Sequence, residues 1–304
     1  TPHLGGAACP RLCAAMSGRP GSFKLGGRQY SPAASLLLAT PFLLMIALAF
    51  LLPLAMLLRE SLFVPSFTSA NYEKVFDEPV YLRVMFRTLR ISVLVTVITL
   101  LLAYPLAALM ARARGLLLGL LLLSVLLPLW TSVLVRTYAW LVLLQRNGLL
   151  NDLLLGLGLI NAPMQLLRTE GAVVLAMSHV LLPFMVLPLY AALRAIPDDY
   201  VRAARMLGAG SLSVFRHVVL PLSLSGISAG CLMVFLMAMG FFVTPALIGG
   251  PQQMMLATLV QQQVTELLNW PFAGALVGVL LAFVLALVLV FNRVVRLDRF
   301  VGQV

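Results

Sequence analysis

LRISVLVTVITLLLAYPLAALMARAR, residues 89–114, is the stretch whose reading decides the fold. Between Arg90 and Arg112 it carries no charged side chain. About 20 apolar residues wound as an α-helix cross the hydrocarbon core of a bilayer, so a membrane span is predicted over Leu89–Ala111. Working outward, five further runs of the same kind appear: Ala33–Leu58, Leu116–Leu144, Gly171–Leu193, Leu222–Ile248 and Phe272–Val295. The apolar run Leu149–Ile160 is short and interrupted by Gly156 and Gly158, and it reads as an interfacial helix.

Composition agrees with six spans. Of 304 residues, 62% are hydrophobic and 10% charged, against roughly 25% charged in a soluble domain. That excludes an ordinary soluble domain and a disordered one. Long unbroken apolar runs, in place of alternation, exclude a β-barrel. The expected fold class is therefore an all-α polytopic membrane protein with six transmembrane helices. Residues 1–33 are expected to be a flexible basic tail, and 34–304 a transmembrane domain. The run Ala33–Leu58 is too long for the apolar region of a signal peptide and is expected to be a retained span. Prolines recur in the spans, among them Pro41, Pro105, Pro128, Pro183 and Pro188. A membrane helix tolerates them where neighbours satisfy the freed carbonyls, as around a cavity.

Net charge is +11. In a soluble chain that balance would suggest nucleic acid; here it reads as Lys and Arg gathered in inner loops. With both termini on one side, that side holds 13 of the 21 basic residues and 3 of the 10 acids. The rule that basic loops stay inside places both termini and residues 194–221 in the cytoplasm. Arg83, Arg87 and Arg90 fall on the outer side, where headgroups or a partner's acids are the expected neighbours.

Catalytic chemistry is hard to find. There is no G-x-x-x-x-G-K-[ST] and no H-E-x-x-H. Ser178 and His179 are adjacent on a predicted helix, about 100° apart, and cannot form a nucleophile–base pair. Cys9, Cys13 and Cys231 supply neither a disulfide framework nor a metal set. No carboxylate falls mid-span, which disfavours a proton-relay transporter. An enzyme is not expected, nor is any cofactor bound by this chain.

The informative polar segment is AALRAIPDDYVRAARMLGAGSLSVFRHVVLPLSLSG, residues 191–226. Pro197 with Asp198 and Asp199 suits a helix start, the acids capping amides or complementing the dipole. Gly208 suits a left-handed helix end. Ser211 suits the cap of a second short helix, and Pro221 the opening of the next span. A solvated basic loop that fixes topology is the plain alternative.

Arg202-Ala203-Ala204, Gly208, Phe215 and Pro221 resemble the E-A-A-x3-G-x6-F-x5-P loop of ABC importer permeases, with Arg202 in place of the family's glutamate. Further stretches carry the likeness: F-T-S-A-N-Y at 67–72, A-Y-P-L-A at 103–107, P-L-W-T-S at 128–132, L-L-P-F-M-V-L-P-L-Y at 181–190, P-A-L-I-G-G at 245–250 and N-W-P-F at 269–272. Over roughly residues 40–297 the chain is similar to the B-type permease of spermidine/putrescine importers. That resemblance implies a type I importer fold whose coupling helix docks on a cytoplasmic ATPase dimer. ATP and magnesium would be bound by that partner. It also implies a second permease, a periplasmic binding protein and the bacterial inner membrane. Coupling residues would be Asp198, Asp199, Arg202, Ala203, Ala204, Gly208, Phe215 and Pro221, with Asp198 the expected ion-pair partner of Arg202 at i−4.

A cation path needs aromatic faces and a few acids. Trp130, Tyr138, Phe241, Phe242, Glu266 and Trp270 are the candidates, with a lipid-facing aromatic belt or helix packing as the alternative for the rings. Rival readings are a permease of this family for another solute, such as an opine or an aminophosphonate, and an ATP-independent secondary transporter.

Overall fold

The structure, a computed structural model, describes residues 32–63 and 66–295. Of the expected basic tail, residues 1–31, with Cys9 and Cys13, lie outside those residues, and positions 32 and 33 already belong to a helix. Two units are present, Thr1–Leu54 and Ala55–Val304. The described part of the first is helical: α1, Pro32–Ile46, runs into a five-residue π-helical turn at Ala47–Leu51. Helix α2, Leu52–Leu62, follows.

The second unit continues with α3, Ala70–Asp77, and α4, Pro79–Arg112. Next come α5, Gly115–Trp130, α6, Val133–Leu144, and α7, Leu149–Gly156. Helix α8 is Glu170–Arg194 and α9 is Asp198–Met206. Helix α10, Ser211–Val214, passes through a π-helical turn at Phe215–Val219 into α11, Leu220–Leu222. The chain closes with α12, Leu224–Met239, α13, Val243–Ile248, α14, Leu256–Thr265, and α15, Trp270–Val295. Among the described residues there is no β-strand, only a single bridge between Phe63 and Phe67.

Four stretches are long and apolar enough to cross a membrane: Ala39–Leu62, Pro79–Arg112, Glu170–Arg194 and Trp270–Phe291. Two bent pairs raise the number to six if each counts as one span: Gly115–Trp130 with Val133–Gly156, bent by 100°, and Ser211–Leu222 with Leu224–Met239, bent by 60°.

The predicted third and fifth spans are therefore not straight rods. In the third, Thr131 and Ser132 adopt extended backbone after Pro128, and Thr131 turns back on the Pro128 carbonyl through both its N–H, at 3.2 Å, and its hydroxyl, at 2.8 Å. A side chain that bonds nearby backbone offers the chain an alternative to continuing the helix. The fifth ends at Met239, and Gly240–Phe242 separate it from the short α13. Its start is also earlier than Pro221 suggested, since that proline sits inside α11 and the axis turns at Ser223.

The core lies where α4, α8 and α12 pack together. Ile91, Val95, Ala103, Ala107 and Met110 of α4 meet Met177, Leu181, Met185 and Leu189 of α8, all fully buried. Gly226 and Gly230 of α12 let its backbone approach α8. A Cβ at Gly226 would fall 2.5 Å from Ala192 Cβ and 2.7 Å from the Pro188 carbonyl oxygen. Small residues four apart are the usual means of close helix contact in a membrane, where no hydrophobic force separates protein from lipid.

Hydrogen bonds seat the remaining pieces. Thr88 in α4 accepts from the Leu256 amide at 2.8 Å, anchoring the start of α14. Asn151, fully buried, donates to the Met164 carbonyl at 2.9 Å and accepts from its amide at 3.0 Å, closing the loop after α7. At the far end of the α4–α8 pair, Arg90 Nε lies 3.2 Å from Glu170 Oε1. The neighbour of Arg90 is thus an acid of its own chain.

Candidate functional site

The segment Asp198–Leu222 sits at the end of the bundle where α4 finishes and α8 finishes. Arg194 in the last turn of α8 donates to the Ala111 carbonyl in α4 at 3.0 Å, tying the two ends together. Pro197 then blocks further helix and serves as the N-cap of α9. Asp198 and Asp199 occupy the first turn of α9 without a side-chain capping bond. They complement the helix dipole, and the expected cap is not made.

Helix α9 ends on a Schellman turn. The Gly208 amide bonds the Arg205 carbonyl at 3.0 Å, and the Ala209 amide bonds the Ala204 carbonyl at 3.1 Å. Gly208 has φ +81°, the left-handed conformation that pattern requires. A Cβ there would meet nothing within 4 Å, so the demand for glycine comes from the backbone alone. Gly210, not Ser211, is the N-cap of α10; Ser211 is its first residue.

No residue of α9 is buried. Around the turn three large apolar side chains stand in the open: Met206 is 88% exposed, Leu207 89% and Leu212 79%. Such a cluster on an otherwise polar loop marks a surface meant to be covered. None of the three is among the residues the sequence pattern singled out. Their signal was apolar residues flanking a turn glycine outside any span.

Arg202 is exposed and forms no ion pair among the described residues. The expected bridge to Asp198 is absent. Asp198 instead lines a cavity of about 370 Å³ with Arg112, Arg114 and Arg194, three cations on the other side of the loop. Ala203 and Pro221 line one hollow with Tyr200 and His217, where α9 leans on the π turn. Ala204 is half-buried. Phe215, itself still exposed, sets its ring edge-on to Tyr104 of α4 at 5.7 Å and 87°. Asp198 and Phe215 thus lie against α4 and the end of α8, while Asp199, Arg202 and Gly208 stand exposed.

The six path candidates do not converge. Trp130 is 87% exposed at the α5–α6 break, and Tyr138 is exposed on α6. Phe241 packs on the main core beside the half-buried Phe242 at the α12–α13 break. Glu266 and Trp270 are exposed between α14 and α15, with Glu266 accepting from Gln262 at 3.1 Å. Among the described residues no ring contact or hydrogen bond joins any two of the six.

A polar cluster between α6, α8 and α13 was not anticipated. Arg136 donates to the Val180 carbonyl at 3.3 Å, Trp140 Nε1 donates to His179 Nδ1 at 3.1 Å, and the Thr137 and Thr244 hydroxyls meet at 3.0 Å. An arginine inside the third apolar run was the available clue.

This arrangement, a bundle of apolar helices with an exposed helix and Schellman turn at one end, is the fold of ABC importer permeases. A chain in the crystal structure of a bacterial alginate ABC transporter in complex with an alginate pentasaccharide-bound periplasmic protein superposes with a TM-score of 0.69. Identity is 16%, and the match covers 88% of this chain and 96% of that one. The family described as binding-protein-dependent transport system inner membrane component matches residues 14–300, and the chain belongs to it. Among curated relatives, the spermidine/putrescine transport system permease protein PotB of Haemophilus influenzae is 38% identical over 230 residues, 76% of this chain and 80% of the relative. PotB of Escherichia coli strain K12 is 37% identical over 232 residues, 76% of this chain and 84% of the relative.

Proposed function

We propose that this chain is one permease half of an ATP-driven importer for polyamines, spermidine or putrescine. The observation that carries the transport role is α9 with its Schellman turn: a helix with nothing buried, and three exposed apolar side chains around the turn. It is a surface made for a partner. In an ABC importer that partner is a cytoplasmic ATPase dimer, which holds the ATP and magnesium. A second permease closes the path, and a periplasmic binding protein delivers the solute. Both termini and residues 194–221 face the cytoplasm, in keeping with the distribution of Lys and Arg.

Support for the substrate class comes from the similarity to the two PotB proteins. The basic character of the chain does not oppose a cationic cargo, because 13 of its 21 basic residues fall in segments assigned to the cytoplasm and not along the spans.

The test is reconstitution with the permease, ATPase and binding-protein subunits encoded beside it. ATP-dependent accumulation of labelled spermidine or putrescine, competed poorly by amino acids, opines and aminophosphonates, is expected. Accumulation of one of those solutes in place of the amines refutes the substrate assignment. Orientation is checked with a single cysteine at position 210 in a variant lacking the native cysteines. Its labelling by an impermeant reagent in intact cells refutes the cytoplasmic placement.

A further inference from the structure

Helix α9 can drive transport only if its displacement reaches the spans, and one side chain stands at that junction. Tyr104 lies in α4 with its ring against Phe215, at the start of the π turn. Its hydroxyl lies 3.2 Å from Ser223 Oγ. Ser223 is fully buried, and its hydroxyl donates to the Leu220 carbonyl at 3.0 Å. A serine has one hydroxyl proton. With that proton on Leu220, the Tyr104 hydroxyl is the donor to Ser223.

Three departures from regular helix meet at this point. The π turn Phe215–Val219 holds the ring, and the 60° bend between Leu222 and Leu224 holds the serine. Pro105 follows the tyrosine inside α4 and removes the amide that would bond the Leu101 carbonyl. Each is a place where a helix departs from its regular ladder, and such places are where helices bend. Tyr104 grips two of them at once from the third: the loop through its ring, and the hinge of α12 through its hydroxyl.

We propose that Tyr104 is a positioning residue for coupled transport, transmitting movement of the α9 loop to the α4 and α12 spans through Phe215 and Ser223. The proposal rests on the reading of α9 as the ATPase-docking helix. It separates two functions that a packing role would join. Loss of the hydroxyl leaves the ring, the fold and the ATPase surface in place, while the loop no longer steers the hinge.

The experiment uses the complete transporter in proteoliposomes and reads polyamine taken up per ATP hydrolysed. Tyr104→Phe is expected to lower that ratio about five-fold, the factor one hydrogen bond carries, with little change in ATP hydrolysis stimulated by the loaded binding protein. Ser223→Ala also removes the Leu220 bond and should lower the ratio at least as far, and adding Tyr104→Phe to it should cost nothing more, because the shared bond is already gone. An unchanged ratio in Tyr104→Phe overturns the proposal, as does a double variant whose losses multiply. If Tyr104→Phe does not assemble, Ser223→Ala decides by the same ratio. A wild-type assembly without ATP-dependent uptake overturns the docking reading and the proposal together. A working wild type with unaffected variants overturns the proposal alone.

Discussion

Where α8 meets α12, backbone lies against backbone, and Gly226 and Gly230 leave no room for a Cβ. At the tip of α9 the opposite holds: Gly208 has open space on every side and is required only by its positive φ. The first contact is set by volume, the second by a dihedral angle. The first holds the subunit together, and the second shapes a surface for something else. Substitutions in the two regions should therefore fail by different measurements.

The largest effect is expected at the packed contact. Gly226→Leu drives a side chain into Ala192 and the Pro188 carbonyl, a backbone obstacle that cannot swing away. Overpacking costs about 1–3 kcal/mol where neighbours can adjust, and more where they cannot. The expected result is loss of monodisperse permease on fluorescence-detected size-exclusion chromatography. Wild-type yield would mean that α8 and α12 are free to separate.

Gly208→Asp should behave differently. A non-glycine residue in the left-handed region costs about 1–2 kcal/mol, so the permease remains in the membrane at normal abundance. Uptake should fall to near background, along with stimulation of ATP hydrolysis by the binding protein. Gly208→Asn, whose side chain tolerates that conformation, should keep more activity. Full stimulated hydrolysis in Gly208→Asp would show that the turn does not touch the ATPase.

A smaller loss is expected from the exposed apolar pair. Replacing Met206 and Leu207 with serine leaves the isolated subunit unchanged, because neither side chain is buried in it. Covering an apolar side chain of this size is worth about 1.5–3 kcal/mol, so co-purification of the ATPase should weaken by about ten-fold or more. Undiminished recovery of the ATPase would place the docking surface elsewhere.

The smallest effect is expected at Arg202. With no acid among the described residues to hold it, Arg202→Ala should leave uptake close to wild type, and Arg202→Glu should be tolerated. Loss of uptake in either, at normal expression, would reveal an acidic contact on the ATPase.

The contrast between the two regions also governs what could be read in advance. Uninterrupted apolar length marked α4, α8 and α15, because a span needs only length and composition. The breaks at Thr131–Ser132 and Gly240–Phe242 were hidden, since apolar residues on both sides of a bend look alike. Gly208 was legible because a positive φ restricts residue type locally. The surroundings of Asp198 were not. Its i,i+4 spacing to Arg202 suggested a pair, but it lines a cavity with Arg112, Arg114 and Arg194, which come from other helix ends that only the folded bundle brings near. The polar cluster of Arg136, Trp140 and His179 depended likewise on how α6 lies across α8.

The absence of any buried residue in α9 has a consequence for the life of the subunit before assembly. An orphan copy carries Met206, Leu207 and Leu212 in water, a sticky tip on a chain otherwise sheltered by lipid. On the proposed docking reading, the tip invites self-association and proteolysis until an ATPase covers it. Clearance of unpaired permease would then keep its amount matched to that of the proposed motor subunit, with no separate regulator.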